Sequence, residues 1–451
     1  MAGKVVRIGC GSGGLIDRVE DALDMVAKGN VRYLCMDTLS ERTLALFQIR
    51  MLERTGTGFD PRVPAYTEQL LPLAREHAVK IVANMGGANP SGVVEYFQGH
   101  AREFGLGGIK VGLIEGDNVL DKVLKIDPIL SETGQPLSKL KHRAVCANAY
   151  LGYEPIAEAL SMNAEVVIGG RIADSSLGLA PLVHEFGWRS DDWHTLGAAT
   201  AIGHLLECTK YITGAQVADP PYRVMDSWEN SSMPLADVYS DGTGVIRKLP
   251  GSGGALTPME CKLVFGYEIE DPSCHPTPDV MLDLSHVRAV AVEDGVAIDG
   301  ATGTIRPKQL KILVGVAEGF IAENQVSYAG LGAVERGNIA REILEKRFEV
   351  IGAKYGIEEW RIDLLGLNSV HGSRSPVDPV HPPYEVHVRA AARCSDRKAA
   401  EAFVYEVEYL MLWGPAGTCG GHKTRITPIV STFSTYLDRS DVPTRVSLHT
   451  L

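Results

Sequence analysis

The sequence predicts an α/β protein, with a mostly parallel sheet flanked by helices in its N-terminal half and a smaller α+β domain behind it. Three observations predict this. Short β-branched runs alternate with amphipathic stretches through the first half of the chain, and the turns between them are rich in glycine. From about Leu249, where LPGSGGALTP is dense in Gly and Pro, the pattern shifts to segments with a two-residue period. At 451 residues the chain exceeds the size at which one core keeps growing, so two domains are expected, residues 1–250 and 251–451.

The expected strands of the first domain are Val5 to Gly9, Val31 to Asp37, Val79 to Gly87, Ile109 to Gly116 and Ala164 to Asp174. Helices are expected between them. In DRVEDALDMVAKG the apolar residues Val19, Ala22, Leu23 and Val26 keep a 3.6-residue period, and Gly29 supplies a stop. In EPIAEALSMNA, Pro155 sits early, where a missing N–H costs nothing. In the second domain, RAVAVEDGVAI, LKILVGVAEGF, YEVHVRAAAR and AFVYEVEYLML read as alternating segments of an antiparallel sheet.

Composition narrows the function. The net charge is -12 and no cluster of Lys and Arg is long enough to track a phosphate backbone, which argues against nucleic acid. Eight cysteines occur without a C-x-x-C pair, which excludes a zinc ribbon and suits a reducing compartment. The N-terminus carries no signal-peptide pattern and no apolar run reaches about 18 residues, so a cytoplasmic protein without a membrane segment is expected.

Ligands of open parallel sheets bind beyond the carboxyl ends of the strands, so the loops after the five runs are expected to share one rim. The first, IGCGSGG, places Gly9, Gly11 and Gly14 in a G-x-G-x-x-G spacing, with Ser12 and Gly13 between them. Its backbone amides suit a phosphate or carboxylate. With Asp37 it also permits a dinucleotide reading, against the plain alternative of a tight strand-to-helix turn. NMGGANP adds Asn84, Gly86, Gly87 and Asn89; LIEGDN adds Glu115 and Asp117; CANAYLG adds Asn148; GGRIADSS adds Gly170, Arg171, Asp174 and Ser175.

Arg171 is expected to hold an anionic group through its planar guanidinium, or else to tie the rim together as an ion pair with Asp174 or Glu115. Asp117, Glu115 and Asp174 are the expected proton carriers, since a like-charged neighbour raises one carboxyl's proton affinity. No metal ligand is assigned. In GHLLEC, His204, Glu207 and Cys208 share a helical face but lack a paired motif, and a hydrogen-bonded buried histidine is the simpler reading. His371 in NSVHGSRS, and Cys419 with His422 in WGPAGTCGGHKTR, carry no signature of a cysteine hydrolase and read as contact loops.

RIGCGSGGLIDR, NMGGANP, IEGDN, ANAYLGYEPIAEAL, GGRIADSSLGLAPLVHEFGW, GHLLECTKYITGAQ, DPSCHPTPDV and VSYAGLGA, in that order, resemble the acyclic terpene utilisation AtuA family over nearly the whole chain. Asp37 and Glu41 stand at acidic positions of its pattern. The resemblance implies a place in the catabolism of branched acyclic compounds through acyl-CoA intermediates, and it brings no catalytic residues with it. It also implies a homo-oligomer, or an assembly with a small companion protein. The expected function is a hydratase or dehydratase acting on an anionic hydroxy acid or acyl-CoA. CoA would enter as part of the substrate, without a separate cofactor. The alternatives are a nucleotide-dependent oxidoreductase and a non-catalytic subunit.

Overall fold

The computed structural model describes residues 4–54, 56–140, 143–216, 219, 221–225, 227–357, 359–376, 378, 380–419 and 424–451. It divides into two compact units, Met1–Gly315 with Thr432–Leu451, and Val316–Ser431.

The strands of the first unit begin with β1 (Val5–Gly13), β2 (Tyr33–Asp37), β3 (Lys80–Ala83), β4 (Lys110–Glu115), β5 (Ala144–Ala149) and β6 (Val166–Ile168). They continue with β7 (Pro234–Tyr239), β8 (Gly244–Lys248), β9 (His275–Pro276), β10 (Met281–Asp283), β11 (Arg288–Val292), β12 (Gly295–Asp299) and β13 (Thr302–Thr304). The chain then runs through β14 (Gln309–Ala329), β15 (Glu359–Leu365), β16 (Glu385–Cys394), β17 (Thr418–Cys419), β18 (Arg425–Asp438) and β19 (Arg445–Thr450).

Ten strands form one sheet in the order β11-β12-β8-β7-β1-β2-β3-β6-β4-β19. Its centre, β1-β2-β3-β6-β4, is parallel and consists of the five runs expected from the sequence. The sheet as a whole is mixed, which corrects the expectation of a mostly parallel one. β7 pairs antiparallel with β1, β8 and β12 extend that edge, and β19 closes the other edge antiparallel to β4. The antiparallel edge begins with β7 and β8, ahead of the change of pattern near Leu249, and a boundary at 250/251 falls inside the first unit. Period-two segments read alike whether they extend a sheet or begin a new one.

The helices expected over Val19–Lys28 and Glu154–Ser161 are present, the latter with its proline in the first turn. Two further helices position the functional side chains. Asp174–Phe186 starts beyond β6, and Trp193–Glu207 packs against it so closely that a Cβ on Gly203 would lie 2.5 Å from the Ser175 carbonyl oxygen.

The second unit follows a β-α-β-β-α-β succession of the ferredoxin-like kind. β15 pairs with β16, β16 with β14 and β18 with β14, and the helices Ala333–Tyr355 and Arg397–Trp413 complete it. The second helix corrects the reading of AFVYEVEYLML as a strand. Phe403, Val404, Val407 and Leu410 are buried at helical spacing, and Asp396 caps the start by accepting the Ala399 N–H at 2.9 Å.

Candidate active site

Beyond the carboxyl ends of β2 and β6 the first unit contains a cavity of about 790 Å³, lined among others by Glu41, Tyr150, Asp174, Ser175, His204, Glu207, Glu268, Lys308 and Lys311. Asp174 and Ser175 occupy the first turn of their helix, and His204 and Glu207 come from the last turn of the neighbouring one. The glycine contact between these helices is what brings the two turns together.

Arg171 lies beneath this wall, 1% exposed, with its guanidinium carbon 4.1 Å from the centre of the Tyr150 ring. Its Nη1 is 2.9 Å from Asp174 Oδ1 and donates to the Leu39 carbonyl at 3.3 Å. Tyr150 in turn donates its hydroxyl to Glu41, and Lys311 Nζ stands 4.9 Å from the same ring and 3.8 Å from Glu41 Oε1. Of the two sequence readings for Arg171, the ion pair with Asp174 is the arrangement observed.

The carboxyl groups of this wall differ in proton affinity. Burial would raise that of Glu41, but Arg171, the Tyr150 hydroxyl and Lys311 outweigh it and hold the group below its usual range. Asp174 goes the other way. Burial lifts it well above the carboxylate range, and Asp37 and Glu207 add to the rise against the opposing pull of Arg171. Burial pushes Asp37 up to about 6, with Arg171 opposing and Glu207 adding. Burial and Glu207 raise Glu268, whose backbone is in the left-handed region at φ 60°. His204 has Nδ1 2.9 Å from Glu207 Oε1 and Nε2 3.1 Å from the Val264 carbonyl. The Glu207 carboxylate and the Val264 carbonyl favour the protonated ring, and together they raise its proton affinity despite burial.

The profile of the family described as acyclic terpene utilisation family protein AtuA matches residues 6–448. The chain belongs to the AtuA family. No curated protein matches it. Among solved structures, the de novo designed protein Ferredog-Diesel is similar at 16% identity over 24% of this chain and 85% of that one, with a TM-score of 0.17. An aspartate kinase from Clostridium acetobutylicum is similar at 11% identity over 94% of this chain and 86% of that one, also at a TM-score of 0.17. At that score neither supports a statement about fold or function.

In this AtuA-family protein the sequence-predicted site residues separate into three groups. Asp174 and Ser175 border the cavity. A second group is buried around it and holds it in shape: Asp117 accepts the Arg171 N–H and the Asn148 amide, each at 2.8 Å, and Asn84 donates to Asp37 at 2.5 Å. Gly170 belongs here because a Cβ would fall 2.5 Å from Asp117 Oδ2. Asp117 is thus committed to two donors and does not border the cavity.

The third group lies apart from the cavity. Glu115 is ion-paired with Arg445 at 2.5 Å, which the sequence could not show because β19 comes from the far end of the chain. Gly86 donates to the Gly169 carbonyl at 3.1 Å, Gly87 makes a left-handed turn at φ 54°, and Asn89 caps the next helix by accepting the Gly92 N–H at 3.0 Å. The Gly11, Ser12, Gly13 and Gly14 turn is no anion cradle either. β1 runs on through Gly13, the helix begins only at Val19, and the Asp17 carboxylate accepts the Gly13 N–H at 2.7 Å and the Ser12 hydroxyl at 3.0 Å. The protein's own carboxylate thus fills the place a phosphate would take in the dinucleotide reading, and Asp37 is buried against Asn84.

Sequence reasoning missed Tyr150, Glu268, Lys308 and Lys311 as site residues and left Glu41, His204 and Glu207 unassigned. Glu207 and His204 carried a legible signal in their helical spacing. Glu268 carried none, because its segment reaches the cavity only through tertiary packing. In the second unit His371 is exposed beside a short 3-10 turn and Cys419 lies in β17, exposed. His422 lies outside the described residues. No helix among the described residues is long and apolar enough to cross a membrane.

Proposed function

We propose that this protein is a hydro-lyase that adds or removes water next to the carbonyl of an anionic, branched acyclic hydroxy acid or acyl-CoA. The observation that carries the reading is Glu268. Its carboxyl has a raised proton affinity, it is held by a left-handed backbone that a glutamate rarely adopts, and it lines a cavity it shares with Lys308 and Lys311. In its ionised form Glu268 takes the proton from the carbon beside the carbonyl as the C–O bond of the adjacent hydroxyl-bearing carbon breaks, and it passes that proton to the departing hydroxide so that water leaves; addition of water runs the same steps in reverse. Lys308 and Lys311 hold the anionic end of the substrate. Arg171 and Tyr150 act on Asp174 and Glu41 and position them. The cavity volume falls in the range of small-molecule sites, roughly 300–1,000 Å³.

Turnover of a panel of branched acyclic enoyl-CoAs, 3-hydroxyacyl-CoAs and free hydroxy acids tests this, with water addition followed by the loss of the conjugated double bond. Activity on one class that disappears in Glu268→Gln supports the reading. A folded wild type inactive on the whole panel, or a fully active Glu268→Gln, overturns it.

A further inference from the structure

Below the floor of the large cavity lies a hollow of about 10 Å³, lined by Ser12, Asp37, Asp174 and Glu207 together with Cys10, Cys35 and four residues of the paired helices. A space of about that size accommodates a single water-sized particle. Asp174 and Glu207 border both spaces, so an occupant of the hollow would be within reach of a ligand in the cavity.

One carboxylate oxygen from each of Asp37, Asp174 and Glu207 lies within 4.8 Å of the others. Convergence of acidic groups is common on protein surfaces, but this cluster is set apart by Asp37. It is 4% exposed, both hydrogen bonds it accepts, from Asn84 Nδ2 and the Leu39 N–H, fall on Oδ1, and Oδ2 has no hydrogen-bond partner among the described residues. Asp37 also has no ion-pair partner among them, whereas Asp174 has Arg171 and Glu207 has His204. A buried carboxylate oriented through one oxygen, with the other left bare beside an ion-sized hollow, is the arrangement in which a metal ligand is held by its neighbours. Asp174 Oδ1 is buried and has Arg171 Nη1 beside it at 2.9 Å.

The geometry points to a divalent cation site formed by Asp37, Asp174 and Glu207, placed so that the bound ion can also take an oxygen of a ligand in the cavity. The donors are hard oxygen atoms, which select Mg²⁺ or Mn²⁺. The neighbouring thiols do not change that choice, because Cys10 and Cys35 are buried with their thiols donating to the Ser12 and Leu177 carbonyls. This site stands or falls independently of the hydro-lyase reading, since its test requires no substrate.

Titrating the purified full chain with Mn²⁺, with free Mn²⁺ read from its electron paramagnetic resonance signal, tests the site. One saturable Mn²⁺ per chain is expected, displaced by millimolar Mg²⁺, with affinity reduced at least ten-fold in both Asp37→Asn and Glu207→Gln. Asp191→Asn, which alters an exposed pair with Arg189, should leave binding unchanged. Absence of saturable binding by the wild type overturns the proposal even if a variant fails to fold. Equal affinity in wild type, Asp37→Asn and Glu207→Gln overturns it as well.

Discussion

Asn84 joins two strand ends: its amide nitrogen donates to Asp37 Oδ1 at 2.5 Å while its own oxygen accepts the Thr38 N–H at 2.7 Å. Asn84 and Thr38 are fully buried and Asp37 is nearly so, so no solvent replaces these bonds if the amide is removed. Asn84→Ala should therefore lower the unfolding free energy by about 2–4 kcal/mol, as two buried polar groups lose a partner. Urea denaturation measures it. A loss below about 0.5 kcal/mol, the size of an ordinary surface substitution, would show that the strand ends are held in some other way.

Gly170 gives a steric counterpart. Asp117 Oδ2 is pinned by the Arg171 N–H and the Asn148 amide, so it cannot withdraw from a Cβ placed 2.5 Å away. Gly170→Ala should destabilise the protein by about 1–3 kcal/mol through overpacking, visible as a lower Tm. An unchanged Tm would mean that the loops after β4 and β6 are less constrained than their hydrogen bonds imply.

The parallel centre of the large sheet was legible from its sequence because each strand is a compact β-branched run ended by glycine or a polar residue. Its antiparallel edges were legible only in part: RAVAVEDGVAI, which forms β11 and β12, showed the two-residue period but was expected in a second domain, whereas β7, β8 and β19 are recognisable only by the partner they pair with. The site divides in the same way. Asp174 and Ser175 follow a strand and were found. Asp117 and Asn84 also follow strands and Asn148 lies near the end of β5, but Asp117 is taken up by Asn148 and Arg171, and Asn84 by Asp37 and Thr38. Glu268 and Lys308 enter from segments with no local pattern, and Lys311 from β14, whose two-residue period was read as part of a separate antiparallel sheet. The glycine-rich first turn matched a phosphate motif in spacing alone, and Asp17, a residue outside that motif, accounts for its amide.

The proton affinity of Glu268 has a kinetic consequence. As the base of the proposed reaction it must be ionised, and its raised affinity places that ionisation above the ordinary glutamate value of 4.5. kcat/KM should fall as the pH drops through that raised value. Glu268→Gln should lower kcat/KM by about 10²- to 10⁴-fold and remove that limb of the profile. A variant that retained the limb would assign it to another group.

Asp279 governs stability in a defined window. Burial pushes its carboxyl from 3.8 up to about 6, even though the Ser176 hydroxyl and the Tyr153 N–H donate to it. The folded protein therefore binds this proton more tightly than the unfolded chain does. Its contribution is fully present below pH 3.8 and is lost as the pH rises through about 6. Asp37 acts with the same sign in the same window. Asp279→Asn should flatten the dependence of Tm on pH between about 4 and 6.5 without abolishing it. An unchanged slope would remove Asp279 from the account.

The most direct test of the proposed chemistry is proton NMR of branched acyclic hydroxy acids and 3-hydroxyacyl-CoAs incubated with the protein in D₂O. Proton abstraction by Glu268 predicts enzyme-dependent loss of the signal from the carbon beside the carbonyl, and loss of that exchange in Glu268→Gln. No exchange with any compound, or equal exchange by wild type and Glu268→Gln, would contradict it.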